Sequence, residues 1–537
     1  MRRSRLLILL GAVVLLASLQ SGAGAAGFRT KAAPMLDPAP GSKGTTVKAL
    51  ITVGDRLGPY MFEGIPDGVG VMDNGDGTAE VFVTHEQSRV PFPLATATAG
   101  GLRDFSDASI SRLTIDLATR EILAAETALP APEGFIRFCS AFLAGPDEGF
   151  SSPVFFANEE SDDDLPVVGS LYGPDPFFAP ANTREAGFAV YYDVASGTYD
   201  SIPGMGRHNH ENTVVVPGGW PDIVALSGDD TFAAPSSQLY LYRAATPDAV
   251  LADQGTLFGF RVTATQDGPV DPADPFNEAN DYGDIVVGDD WEGEFIAVPD
   301  GIADGTDPGS PPLPPQAALE RWSNENNVFQ FIRVEDIAYD RNEPNVVYFA
   351  DTGERRARPD LDPSDLDPPD GRLDRGPSTF VGPYPNGRIF RMEFDPADPL
   401  SVTSFSILLD NDLGGLNNPA VMHQPDNVDT STRSLMVQED SGQAPFSRIW
   451  RYDFASQSWS VVASVQDQLW ESSGIVNASS IFGPGMWLVT VQAHNVFEYA
   501  DGPIAGLPNG PITGGIPNTT TAKREGGQLL LLRVKDS

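Results

Sequence analysis

The stretch from Arg333 to Arg356 puts Arg333, Glu335 and Asp336 at the start of one short apolar strand. Asp351 stands at the end of the next strand, beyond a turn around residues 342–345. In an antiparallel hairpin these two ends share one edge of the sheet, so Glu335 and Asp351, sixteen positions apart, are expected to meet. Acids brought together raise each other's pKa, and a bound cation removes the conflict. The chemistry to expect is metal binding, with Arg333 offering a contact for an anion.

The same order of polar residue, strand, turn, strand and polar residue recurs five more times. Asp67 leads to His85-Glu86, Cys139 to Glu159-Glu160, and His210-Glu211 to Asp229-Asp230. Asn417-Asn418 leads to Glu439-Asp440, and Ser473-Gly474 to Gln492 and His494. The candidate metal ligands are therefore Glu86, Cys139, Glu159, Glu160, Glu211, Asp229, Asp230, Glu335, Asp351, Glu439 and Asp440. Carboxylates and amides suit calcium, whereas a thiolate among them suits a transition ion. His85, His208 and His423 read as structural or solvent-facing rather than as ligands. No G-x-S-x-G follows a strand-to-helix pattern, which disfavours a serine hydrolase, and no phosphate loop or dinucleotide fingerprint is present.

Between these units lies a second hairpin with an aromatic first strand, as in the segments from Arg112, Ala189, Arg388 and Arg448. Two hairpins per unit make four strands, and six such units predict an all-β, six-bladed β-propeller occupying residues 45–537. The 54 glycines and 47 prolines fit a turn-rich chain. Residues 526–534, GGQLLLLRV, have no nearby hairpin partner and are expected to close the ring with the amino-terminal strand. Three Asp/Pro/Gly-rich insertions, at about 267–315, 358–376 and 502–521, read as surface loops. Asp360 to Gly371 carries acids at the density of a calcium loop without an EF-hand register.

Residues 1–25 combine Arg2, Arg3 and Arg5 with an apolar run and small residues at Ala23 and Ala25, the pattern of a secretory signal. Residues 26–44 read as a flexible leader. A secreted or periplasmic protein without membrane attachment after cleavage is expected, by the Sec or the twin-arginine route, and a monomer. The formal charge of −40, from 34 basic and 74 acidic residues, argues against nucleic acid and anionic membranes as partners. The one cysteine, Cys139, has no intrachain partner; it is either buried and inert or held by a metal or by chemistry.

Taken with their order, these motifs resemble the PhoX-type alkaline phosphatase family. Arg333 to Ala338 followed by Val347 to Thr352 is similar to its R-P-E-D…V-Y-F-x-x-T stretch, and Gly206-Arg207…His210-Glu211…Gly228-Asp229-Asp230 to its G-R…H-E…G-D-D pair. Cys139-Ser140 with Asn158-Glu159-Glu160 resembles its C-x-G-G…C-E-E pair, and Gln438-Glu439-Asp440 its later Q-E-D. The chain departs from the pattern at Ser140-Ala141-Phe142, where a glycine pair is usual, and at Val334, which replaces proline. The resemblance implies a propeller phosphomonoesterase with an iron–calcium cluster acting on small phosphate esters. Cys139 would then bridge two irons, Glu159, Glu160, Glu211, Glu335 and Asp351 would be ligand candidates, and Arg333 beside Glu335 would contact phosphate. The alternatives are a non-catalytic secreted calcium-binding propeller, and a calcium-dependent lactonase- or esterase-like propeller.

Overall fold

The computed structural model describes residues 27–86, 97–98, 101–102, 108–130, 134–166, 183–231, 233–271, 279–307, 309–359, 372–440, 446–499, 522–535 and 537. The signal segment, the acid-dense 360–371 stretch and the 502–521 insertion lie outside them. Among the described residues, six antiparallel groups of four strands follow one another along the chain, the third and fourth joined in one larger sheet. Blade one is Pro66–Asp73, Thr78–His85, Ser109–Asp116 and Ile122–Leu129; blade two is Phe138–Ala144, Val154–Glu159, Val190–Asp193 and Thr198–Ser201. Blade three is His210–Val215, Ile223–Asp229, Leu239–Ala244 and Thr256–Thr265; blade four is Val334–Tyr339, Val346–Asp351, Arg388–Asp395 and Asp398–Asp410. Blade five is Pro425–Thr430, Ser434–Glu439, Arg448–Asp453 and Ser458–Val465; blade six is Trp470–Asn477, Met486–Tyr499, Ala522–Arg533 and, from the amino-terminal side, Thr46–Thr52.

The ring closes where Thr46–Thr52 pairs with Ala522–Arg533, with Ala49 opposite Leu530 and Ile51 opposite Leu529. Residues 526–534 thus do join the amino-terminal strand, and on their other edge they also pair with Met486–Tyr499. The first two strands of blades three and four are almost wholly buried, as in Val346–Asp351, where every residue is inside. Outer strands alternate buried and accessible residues, as in Arg388–Asp395. Blades pack face to face through their apolar rows. The largest such core carries Phe331, Phe349, Phe390 and Phe405 with ring centroids 5.2–6.5 Å apart; each buried ring contributes about 1.5–3 kcal/mol.

Two expectations are corrected. The leader is built into the fold: Leu36–Pro38 adds a fifth strand to blade five, and Phe28 bridges Ile122. The 267–315 insertion is not only a surface loop. Its strand Trp291–Ala297 links the outer strands of blades three and four, the short helix Asp300–Ala303 follows, and Tyr282, Ile285 and Trp291 are buried. Those scattered aromatics lack the alternation that would have marked the segment as structured. Among the described residues no helix is long and apolar enough to cross a membrane.

Candidate metal centre

The innermost strands pack side by side in blade order, and the sixth returns to the first. In blades one to five the innermost hairpin has the same irregularity. After one pair at the upper edge, the register slips before pairing resumes three residues on. The first pairs are Pro66 with His85, Phe138 with Glu159, His210 with Asp229, Val334 with Asp351 and Pro425 with Glu439. The slip leaves two residues per blade without a cross-strand partner, as a β-bulge does, and re-aims them. They are Asp67-Gly68, Cys139-Ser140, Glu211-Asn212, Glu335-Asp336 and Asp426-Asn427.

The first member of each bulge is an acid or the thiol. The second holds the neighbouring blade. The Asn212 side-chain amide donates to the Ile337 carbonyl (2.9 Å) and accepts from its N–H (3.1 Å). Asp336 accepts from the Val428 N–H (3.4 Å) and from the Asn427 side chain (3.3 Å), and Asn427 accepts from Ser473 Oγ (3.1 Å) of blade six; the Asn427 amide also reaches across to Ser140 Oγ of blade two (2.7 Å). Gly68 fills this position in blade one because a Cβ there would sit 2.4 Å from the Ala141 nitrogen. Asp336, although adjacent to Glu335 in the chain, is thus a strut between blades.

Three overlapping groups of ligand atoms result, each lying within 4.8 Å: Asp67, Glu86 and Cys139; Cys139, Glu160 and Glu211; Glu211, Asp230 and Glu335. Cys139 and Glu211 are shared, so the groups form a chain across blades one to four. Glu86, Glu160 and Asp230 all come from one place in the repeat, the residue after the second strand, whose N–H donates to the carbonyl of Ile65, Arg137 or Asn209. All the ligand atoms are buried. The Cys139 thiol donates to Asp67 Oδ2 (3.2 Å), Ser473 Oγ to Asp67 Oδ1 (2.7 Å), and the Gln492 amide to Asp67 Oδ2 (2.6 Å) and Glu86 Oε1 (2.9 Å). Arg333 forks onto Asp230, with Nε 2.6 Å from Oδ1 and Nη2 2.5 Å from Oδ2, and lies 3.7 Å from Glu335. The Thr352 hydroxyl donates to Glu335.

Burial and mutual repulsion push these groups toward their protonated forms. Burial and Glu86 raise Asp67 to about 8. Burial raises Glu160, Glu211, Glu335 and the Cys139 thiol well above their ordinary values, with neighbouring acids adding to it. Glu211 Oε2 is buried with no hydrogen-bond partner. An acid this deep without a donor is a group waiting for a cation. The donor set fits: oxygens for a hard ion, and one thiolate for a softer one.

Other sequence candidates go elsewhere, for one geometric reason. Adjacent strand residues point to opposite faces, and in each acidic pair that ends a second strand the first member turns away from the channel. Both Glu159 oxygens are held by Arg184 (2.6 and 2.9 Å) and by the N–H groups of Ile136 and Phe188. Glu439 takes Arg448 (2.6 and 2.8 Å), Trp450 Nε1 (2.9 Å) and the His423 N–H (2.8 Å). Asp351 caps the Ile332 and Gly353 N–H groups at 2.9 and 2.8 Å, and does not meet Glu335. Asp229 Oδ1 lies 3.9 Å from His208 Nδ1. Glu159, Asp351 and Glu439 are braces whose partners pin the blade edges, whereas Asp229 Oδ1 and His208 Nδ1 are both buried without a hydrogen-bond partner.

Sequence reading missed three residues. Blade five opens at Pro425-Asp426, not at Asn417-Asn418, which lie ahead of the strand with Asn417 exposed at φ 60°. Asp426 is the fifth bulge residue; burial, then Glu335 and Asp440, keep its carboxyl well above the usual range. Glu471, at the start of blade six, is likewise raised by burial and Asp440. Arg137 stands 4.0 Å from Glu86. Spacing did not point to Asp426, which stands 13 residues before Glu439 against 16–20 for the equivalent pairs of blades one to four; the signal was the acid–asparagine pair Asp426-Asn427, the same pair as Glu211-Asn212.

The result is a six-bladed propeller whose channel carries a chain of acids joined through one thiol, with an arginine at one end. No protein-family model matches this chain, and no curated protein matches it by sequence. Among solved structures it is similar to Pseudomonas fluorescens PhoX in complex with vanadate, a transition state analogue, at 13% identity and a TM-score of 0.57 over 94% of this chain and 99% of that one. It is more distantly similar to the β-propeller domain of the Trilobed protease from Pyrococcus furiosus, at 6% identity and a TM-score of 0.28 over 80% of this chain and 91% of that one. The first likeness spans almost the whole of both chains and establishes a shared fold.

Proposed function

We propose that the protein is an exported metal-dependent phosphomonoesterase. The observation that carries this reading is the chain of three ligand groups sharing Cys139 and Glu211 and ending at Arg333. Asp67, Glu86, Cys139, Glu160, Glu211, Asp230 and Glu335 would hold the metal, with iron at the thiolate and calcium among the oxygens. Such a cluster supplies Lewis-acid stabilisation of phosphoryl charge and lowers the pKa of a bound water.

The chain's own groups do the rest. Arg333 spends Nε and Nη2 on Asp230, and its side chain stays one-fifth exposed, so Nη1 remains for a phosphoryl oxygen. A guanidinium fork matches phosphate geometry better than an ammonium does. Asp230 fixes the orientation of that fork, and Thr352 fixes Glu335 beside it. In a protein of charge −40, an anionic substrate needs such a local reversal of sign.

The test is metal analysis with a visible spectrum and a phosphomonoester assay, on the wild type and Cys139→Ser. The expected result is iron with calcium, a coloured protein, and loss of iron and activity in the variant. A colourless protein containing calcium alone, unchanged by Cys139→Ser, would sink the iron–calcium reading. Export is part of the same proposal, and activity confined to the cytoplasmic fraction would count against it.

A further inference from the structure

The repeat makes a comparison that the motifs alone do not. Arg333 stands immediately before the first paired residue of its innermost strand, Val334, and two before the bulged ligand, Glu335. In blade two the same position, before Phe138 and two ahead of Cys139, is Arg137. The backbone shows the equivalence. The Arg333 carbonyl accepts from the Thr352 N–H and the Arg137 carbonyl from the Glu160 N–H, both at 3.0 Å. The corresponding residues in blades one, three and five are Ile65, Asn209 and Gln424. Among these five described positions, therefore, cations stand at two only, in blades two and four.

Their side chains share a setting. Arg137 is 22% exposed and Arg333 20%, while the acids beside them are buried. Glu160, in the middle ligand group, lies within the electrostatic reach of both guanidiniums. Arg137 further neighbours Glu86 and Cys139, and Arg333 neighbours Asp230 and Glu335. The two arginines thus bracket the chain of ligand groups from its two ends.

We propose that Arg137 is a second anion contact, closing with Arg333 on one phosphoryl dianion held over the ligand groups. This rests on the phosphomonoesterase reading and specifies its substrate class: a terminal phosphate with oxygens to spare for both guanidiniums. A phosphodiester carries one charge and two unsubstituted oxygens, so it satisfies one fork at the expense of the other. Arg137 is then a determinant of monoester over diester specificity.

The experiment uses full-length, metal-loaded protein and inorganic phosphate as the probe. Phosphate affinity is measured by calorimetry for wild type, Arg137→Gln and Arg137→Lys, with metal content on the same samples and kcat/KM for a monoester and a diester. The expected result is a tenfold or greater loss of phosphate affinity in Arg137→Gln with metal retained, and an intermediate loss in Arg137→Lys. The monoester:diester ratio should fall by a similar factor. Unchanged phosphate affinity in Arg137→Gln would overturn the proposal while leaving the phosphatase reading in place. Loss of metal, with affinity recovered at saturating metal, would also overturn it, since Arg137 would then be a counter-charge for Glu86 and Glu160. A wild type that neither binds phosphate nor hydrolyses a monoester would overturn both.

Discussion

Glu159 and Glu160 are adjacent in sequence and opposite in role, so removing the charge from each should have opposite consequences. Glu159 and Arg184 form an ion pair in which both side chains are almost completely buried, with two short hydrogen bonds. Glu159→Gln leaves the Arg184 guanidinium without its counter-charge. Breaking one side of a buried pair costs about 3–5 kcal/mol. Glu160 is a buried acid whose burial, with repulsion from Asp230 and Glu86, outweighs the attraction of Arg137 and favours the protonated form. In metal-stripped protein at neutral pH, Glu160→Gln should therefore cost little or stabilise. The assay is urea unfolding of both variants after metal removal, with metal content measured separately on the loaded proteins. Glu159→Gln should lose stability and keep metal in its folded fraction; Glu160→Gln should keep stability and lose metal. If Glu160→Gln costs as much as Glu159→Gln in stripped protein, or Glu159→Gln loses metal at undiminished stability, the division of the pair between channel and blade is wrong.

Stability of the metal-stripped protein should fall as pH rises. Asp67 is raised to about 8, and Asp336 and Asp351 to about 7, mainly by burial, whereas unfolded carboxylates titrate near pH 4. The folded state then binds more protons than the unfolded chain between those limits. The stability these groups contribute is therefore complete below about pH 4 and lost as pH rises through 7–8, each group costing about 1.4 kcal/mol for every tenfold difference in proton affinity between the two states. Thermal melts between pH 5 and 8 check this, and metal loading should flatten the slope because cations replace the protons; a rise in melting temperature with pH in stripped protein would contradict it. Gly474→Ala should destabilise by about 1–3 kcal/mol and lower metal content. Its φ is +46°, and a Cβ would lie 2.1 Å from the Asp67 carbonyl oxygen. Denaturant melts and metal analysis decide, and a variant indistinguishable from wild type in both would show that the close approach is not required.

Much of the centre was readable because a repeat imposes equivalence. Six polar–strand–turn–strand–polar units marked the innermost hairpins, and five of the six openings fell at the right strand. The exception was blade five, where Asn417-Asn418 offered polar residues ahead of the true start at Asp426. Polarity alone could not separate a surface turn from a bulge. The two inner strands of each blade read clearly as apolar runs, but the 267–315 insertion did not. Its buried aromatics are spaced irregularly, and only packing against two neighbouring blades makes them a core.

By itself, the sequence determined the paired hairpins of the blades, the order of the blades, and which residue types reach the upper rim of the channel. Those properties are local: alternation, turn chemistry and the polar residue that ends a strand. Which member of each acidic pair enters the channel was decided only by the tertiary structure. A slip of register in each innermost hairpin turns Asp67, Cys139, Glu211, Glu335 and Asp426 out of the ladder, while strand alternation sends Glu159, Asp351 and Glu439 back to braces on their own blades. A register is a relation between two strands. One strand's sequence does not contain it, and so Arg137 could be matched to Arg333 only once both bulges were in view.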